Sequence, residues 1–176
     1  MGIYLNPPAD AFEVILNKNI YIDKSGLISY TNSVLGSSRM LTCFSRPRRF
    51  GKSYAAKMLA AYYSRGASTD GLFRNLKIAE CDSYKANLNH YDVLFLDIAW
   101  FISISSTIEN TVHEMQESII SELRDAFPGC VGETVCSLPV ALLQISAKTG
   151  RKFFIIIDEW DALFREAAAD VALQKS

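Results

Sequence analysis

A chain of 176 residues, 49% apolar and 21% charged, has the size and composition of one globular domain and excludes a chain disordered throughout. Its 18 basic and 19 acidic side chains leave a net charge of −1, which excludes a global basic field that would draw it onto nucleic acid or an anionic membrane. The four cysteines, Cys43, Cys81, Cys130 and Cys136, show no C-x-x-C spacing, and His90 and His113 lie near none of them in sequence. Neither a zinc site nor a disulfide scaffold is expected, and Cys43, inside an apolar run, is expected to be a buried free thiol. The N-terminus lacks the basic start and apolar stretch of a signal peptide, and no run approaches membrane-spanning length, so the expected location is the cytoplasm.

In chain order, residues Phe12 to Leu35 read as a short helix, the segment Asn19 to Lys24, and a second helix from Leu27. Met40 to Ser45 is a short apolar run closed by Arg46-Pro47, and it reads as the first strand. After a loop, Ala55, Met58, Leu59 and Tyr62 recur at helical spacing, predicting a helix over Lys52 to Ser64. Gly66 to His90 carries only short helical turns. Val93 to Leu96, ending in Asp97, is the continuous apolar run of a strand buried on both faces.

Ile108, Val112, Met115, Ile119 and Leu123 mark a long amphipathic helix that ends before Pro128-Gly129. Ser137, Pro139 and Gly150 supply start and stop signals for a helix over Leu138 to Thr149. Lys152 to Ile157 is the third strand, terminated by Asp158-Glu159, and another helix begins near Trp160. Strands separated by helices predict an α/β fold with a parallel sheet and flanking helices, its ligand site beyond the carboxyl ends of the strands. Residues 1–176 read as one domain, with about 1–38 as an N-terminal segment before a core over 39–176.

The chemistry sits at two of those strand ends. Phosphate binding needs inward backbone N–H groups, a helix N-terminus, a lysine for the terminal phosphates and a hydroxyl for magnesium. Arg46, Pro47, Arg48, Arg49, Phe50, Gly51, Lys52 and Ser53 form a loop that supplies most of this. Gly51 permits close backbone approach, Lys52 is the phosphate lysine and Ser53 the magnesium hydroxyl. The loop departs from G-x-x-x-x-G-K-[ST] by carrying Arg46 at the first glycine.

Asp158-Glu159, after an apolar strand, matches the acidic strand end of P-loop ATPases: Asp158 for the magnesium ion, Glu159 as the base that polarises water. The expected ligands are therefore ATP and Mg2+, in a P-loop NTPase-type sheet. Asp161 reads as favouring the start of the following helix, Asp97 equally as a cap or a third acid, and His113 as solvated.

Ile20 to Ser25 with Leu27-Ile28, then Ser45 to Ser53, then Ile155 to Asp161 together resemble the bacterial AAA-ATPase-like family. Its members show a tyrosine, an aliphatic residue and Asp-Lys-Thr, an R-P-R-R-F-G-K-S loop, and a strand ending in D-E-Y-D. Here Ser25 stands for the threonine and Trp160 for the tyrosine.

The resemblance implies that arginine is the ordinary loop entry and that Lys52, Ser53, Asp158 and Glu159 carry the roles above. For Asp23 and Lys24 it leaves two readings, a border to the nucleotide base or a structural ion pair, the second slightly preferred. Relatives often carry a C-terminal PD-(D/E)XK nuclease-like domain, and the strands bearing a polar sensor and a γ-phosphate arginine are expected beyond this sequence. The chain therefore reads as an N-terminal fragment, its sheet incomplete at the C-terminus, with weak or absent hydrolysis of its own.

Two other classes compete with an ATPase core. One is a nucleotide-gated interaction module without significant turnover, with a protein partner or self-association through an exposed sheet edge. The other is a nucleic-acid-binding segment using Arg39, Arg46, Arg48, Arg49 and Arg65, which the net charge does not indicate.

Overall fold

The computed structural model describes residues 2–169 apart from 19, 46, 48 and 49. Two compact units divide the chain, Met1–Val93 and Leu94–Ser176.

In the first unit, α1 (Asp10–Leu16) follows Pro7-Pro8 and packs against α3 (Lys52–Tyr63). α2 (Gly26–Val34) packs against a 3-10 turn (Lys77–Glu80). α4 (Asp70–Phe73) and α5 (Tyr84–Asn87) complete the short helical turns expected between Gly66 and His90.

Aromatic rings fill the core. Phe12 stacks on Phe73 at 5.1 Å between centroids, and Tyr62 meets Phe73 edge to face at 5.4 Å. Every residue from Met58 to Tyr63 is buried, so the second half of α3 is an interior helix. Burial pushes the Tyr62 and Tyr63 phenols up from their ordinary pKa, and both hydroxyls have partners. Tyr62 donates to the Tyr84 carbonyl at 2.6 Å, and Tyr63 to Asn32 Oδ1 at 2.7 Å.

α3 ends where its last carbonyls find donors from outside the helix. Asn89, at φ 57°, donates its backbone N–H to Tyr62 O at 2.8 Å and its side-chain amide to Ser64 O at 2.9 Å. Thr69 Oγ1 donates to Ala61 O at 2.9 Å. The chain then leaves the helix at Ser64, which bridges in parallel to Tyr91.

β1 (Asp92–Asp97) crosses the boundary between the units and pairs in parallel with β2 (Phe153–Asp158). In the second unit, α6 (Ile98–Ile104) packs on β2 and on α7 (Thr111–Ala126), and α7 packs on α8 (Leu138–Thr149). α9 (Ala162–Ala169) packs on α6. The fold is α/β, a small parallel sheet flanked by helices, as expected.

α8 has the expected bounds, with Pro139 in its first turn and Gly150 left-handed at φ 69° beyond its end. Ser137 occupies the cap position, but its hydroxyl does not cap the helix; Gln116 Oε1 instead accepts from Leu138 N at 2.9 Å. Arg124 donates to the carbonyls of Gly132, Glu133 and Val135 and so pins the loop before α8 to α7.

Two expectations fail. Met40 to Ser45 forms no strand: it runs without regular structure, with Met40 59% and Leu41 91% exposed. A strand exists only where its N–H and C=O groups find a ladder partner, and the described sheet consists of β1 and β2 paired with each other. The run keeps local bonds instead, Thr42 Oγ1 to Arg39 O at 3.1 Å and the Phe44 ring edge-on to Tyr30 at 6.0 Å. Cys43, in that segment, is consequently exposed rather than buried.

β1 is buried on both faces over most of its length, whereas β2 alternates, leaving Ile155 and Ile157 about half exposed. Among the described residues, no helix is long and apolar enough to cross a membrane.

Candidate functional site

The loop residues Pro47 and Phe50 to Ser53 are described; Arg46, Arg48 and Arg49, expected to line the same loop, lie outside the described residues. Phe50 N donates to Pro47 O at 3.4 Å, which turns the chain back toward α3. Gly51 then sits at the cap position with φ 75° and ψ 37°, a left-handed conformation that glycine adopts without a steric cost. Its carbonyl accepts the first helical bond, from Ala55 N at 3.1 Å.

Lys52 and Ser53 are the first two residues of α3, both partly exposed, and no side chain caps the helix start. The first turn of a helix offers N–H groups without intrahelical acceptors and the positive end of the dipole, so this end of a 12-residue helix suits an anion.

Ile20 to Ser25 reaches the same loop. Asp23 and Lys24 do not serve as a pair with each other. Asp23 Oδ1 accepts from Ser25 N at 2.8 Å and Oδ2 from Lys77 N at 2.9 Å. Ser25 Oγ accepts from Ile78 N at 3.1 Å. These bonds clamp the start of α2 to the 3-10 turn. Burial pushes the Asp23 carboxyl up, but the N–H groups of Lys77 and Ser25 outweigh it and hold the carboxyl below its ordinary pKa.

Lys24 instead donates from Nζ to the Phe50 carbonyl at 2.5 Å, and a Cβ added to Gly51 would stand 2.6 Å from that Nζ. Glycine at 51 thus meets two demands, a left-handed turn and room for an ammonium. A cavity of about 390 Å³ adjoins the turn, its walls including Ile15, Tyr21, Lys24, Gly51, Tyr54 and Met58. Lys18 donates to the Tyr54 hydroxyl at 2.5 Å on its rim.

The acidic strand end belongs to the second unit. Asp158 closes β2 and is 8% exposed. Glu159 follows at φ 53°, a left-handed conformation costing a non-glycine residue on the order of 1–3 kcal/mol. Local bonds hold the turn: Glu159 N donates to Asp158 Oδ1 at 3.1 Å, and Ala162 N to Glu159 O at 2.8 Å, opening α9.

The guanidinium of Arg165 forks over both acids beside it, Nη2 to Glu159 Oε2 at 2.7 Å and Nη1 to Asp161 Oδ2 at 2.5 Å. Asp161 first and Glu159 second hold the Arg165 pKa above its ordinary value. Asp161 precedes α9, as expected, but its carboxylate is turned to Arg165. The sequence reading missed this arginine, although Asp161 and Arg165 stand at the i, i+4 spacing that brings helix-surface charges together.

Other assignments also find their places. Asp97 caps α6, accepting from Trp100 N at 3.0 Å. His113 is exposed beside Glu117 at 3.5 Å. Arg65, considered for nucleic acid, lies 3.6 Å from the fully buried Asp92 and donates to the His90 carbonyl, so it serves the interior of its own unit. Ser53 and Asp158, expected to hold magnesium, supply a hydroxyl and a carboxylate, hard oxygen donors of the kind that ion takes.

No curated protein matches the chain, and no solved structure does. A family model described as "Predicted AAA-ATPase" matches residues 9–176, spanning the Asp23-Lys24 segment, the loop of residues 46–53 and the acidic strand end alike. Nearly the whole chain is covered by that match, and the chain therefore belongs to the family of predicted AAA-ATPases, whose general property is nucleotide binding.

Proposed function

We propose that residues 1–176 act as a nucleotide-binding domain that takes ATP with Mg2+ at the loop of residues 46–53, and that Glu159 serves hydrolysis. The observation that carries this reading is the start of α3: a left-handed Gly51 followed by Lys52 and Ser53 in the first turn of the helix. In it, first-turn N–H groups and the Lys52 ammonium would bind the phosphates and the Ser53 hydroxyl a magnesium ion, while Asp158, at the end of β2, is a carboxylate of the kind that ion takes. Magnesium, when bound, neutralises charge on the phosphate oxygens. Glu159 accepts a proton from the attacking water, and its strained backbone favours a functional role over a purely local one.

Calorimetry of Mg-ATP with the wild-type chain and with Lys52→Ala tests the binding. Loss of at least tenfold in affinity in a variant that stays folded is expected, since a charge-assisted contact is removed. Equal binding by the two proteins would refute the loop's role.

A second reading, a nucleotide-gated module with little turnover, is favoured by one observation, the grip of Arg165 on the Glu159 carboxylate. Glu159→Gln separates the two. An ATPase loses its turnover and keeps its binding, whereas a module that works by binding alone keeps its response to nucleotide.

A further inference from the structure

We propose that Lys24, outside the phosphate loop in sequence, is a second phosphate-binding lysine of the site, a proposal that rests on the triphosphate reading above. Its ammonium reaches the loop from 26 residues away, bonds the Phe50 carbonyl at 2.5 Å, and fills the place that a side chain on Gly51 would take. Gly51 is the residue at which the backbone turns into α3, so the charge stands at the helix end suited to an anion.

The delivery is rigid. Lys24 lies between Asp23 and Ser25, whose side chains accept from the backbone N–H groups of Lys77 and Ile78, and its own carbonyl accepts from Leu27 N at 2.9 Å to open α2. A side chain on such a platform loses less freedom on binding a ligand than one on an unsupported loop.

The partner identifies the chemistry. An ammonium carries three N–H donors, and the Phe50 carbonyl takes one while leaving the formal charge uncompensated. A neutral tie across the loop needs no charge. The ammonium stands against the glycine that opens α3, and the anion this loop would bind is a row of phosphates.

The test is Mg-ATP binding by calorimetry for the wild type, Lys24→Gln, Lys24→Met and Lys24→Arg, each at low and high salt, with circular dichroism reporting the fold. Lys24→Gln removes the charge and keeps an N–H donor on a side chain one atom shorter. A loss on the order of tenfold or more, with a flatter salt dependence, is expected for Lys24→Gln and Lys24→Met. Lys24→Arg keeps most of the affinity and the wild-type salt dependence.

Wild-type binding by Lys24→Gln would overturn the proposal. So would a weakening that leaves salt dependence unchanged, because that is the mark of a structural tie. A folded wild type that binds no Mg-ATP sinks the triphosphate reading itself, and this proposal with it.

Discussion

Two junctions in this protein turn the chain into a helix through a left-handed residue, one in each unit, and they do so by opposite means. At the start of α3 the residue is Gly51, which adopts φ 75° without steric cost, and the space its missing side chain leaves is taken by Lys24. After β2 it is Glu159, at φ 53°, a conformation that disfavours any side chain, held by Asp158, Ala162 and Arg165. The first junction spares a side chain so that something else can approach. The second keeps a carboxylate at a conformational cost.

Exchanging the residue types at the two junctions puts this contrast to the test. Gly51→Ala has the larger expected effect. Its methyl group meets both the left-handed backbone and the Lys24 ammonium at 2.6 Å, so the backbone is strained and the ammonium must leave its place. A stability loss of about 1–3 kcal/mol in urea melts, together with at least a tenfold loss of Mg-ATP affinity, is the expected result. A variant that melts and binds like the wild type would mean that neither demand on Gly51 is real.

Glu159→Gly is expected to do much less to the fold. Relief of the strained backbone offsets the loss of a partly exposed ion pair with Arg165, so stability stays within about 1 kcal/mol of wild type. On the hydrolytic role proposed for Glu159, any ATP turnover is lost in the same variant. A large loss of stability would recast Glu159 as a structural anchor for α9.

The smallest effect concerns the clamp that positions Lys24. The folded pKa of Asp23 lies below its unfolded value, so its contribution to stability is present above the ordinary carboxylate pKa of 3.8 and is lost as pH falls through the folded pKa. In Asp23→Asn that ionisation is gone, and the drop in urea midpoint between pH 7 and acid should be shallower than in the wild type. Parallel pH profiles would show that the Lys77 and Ser25 N–H groups do not depend on the charge.

Much of the architecture was legible because it is local. α3, α7 and α8 announce themselves by apolar spacing, and Gly150 and Pro139 mark the ends of α8. The strand over Met40 to Ser45 was misread for the opposite reason. An apolar run of six residues states only that burial is favourable, and Met40, Leu41 and Phe44 are left exposed without a ladder partner. Cys43 followed the same error, since its expected burial depended on that strand.

The sequence by itself determined the chemistry of the two junctions: a glycine, a lysine and a hydroxyl opening a helix, and a carboxylate pair ending an apolar strand. Spacing of a few residues is enough to set these, because helix periodicity and backbone handedness are short-range. Only the tertiary structure decided that Lys24 stands against Gly51, that Asp23 and Ser25 clamp the Lys77–Glu80 turn, and that Arg165 grips Glu159. The first two contacts join residues tens of positions apart, and the third depends on how tightly the chain turns after β2. Long-range packing and the reach of long side chains settle such contacts, and local sequence pattern carries no record of either.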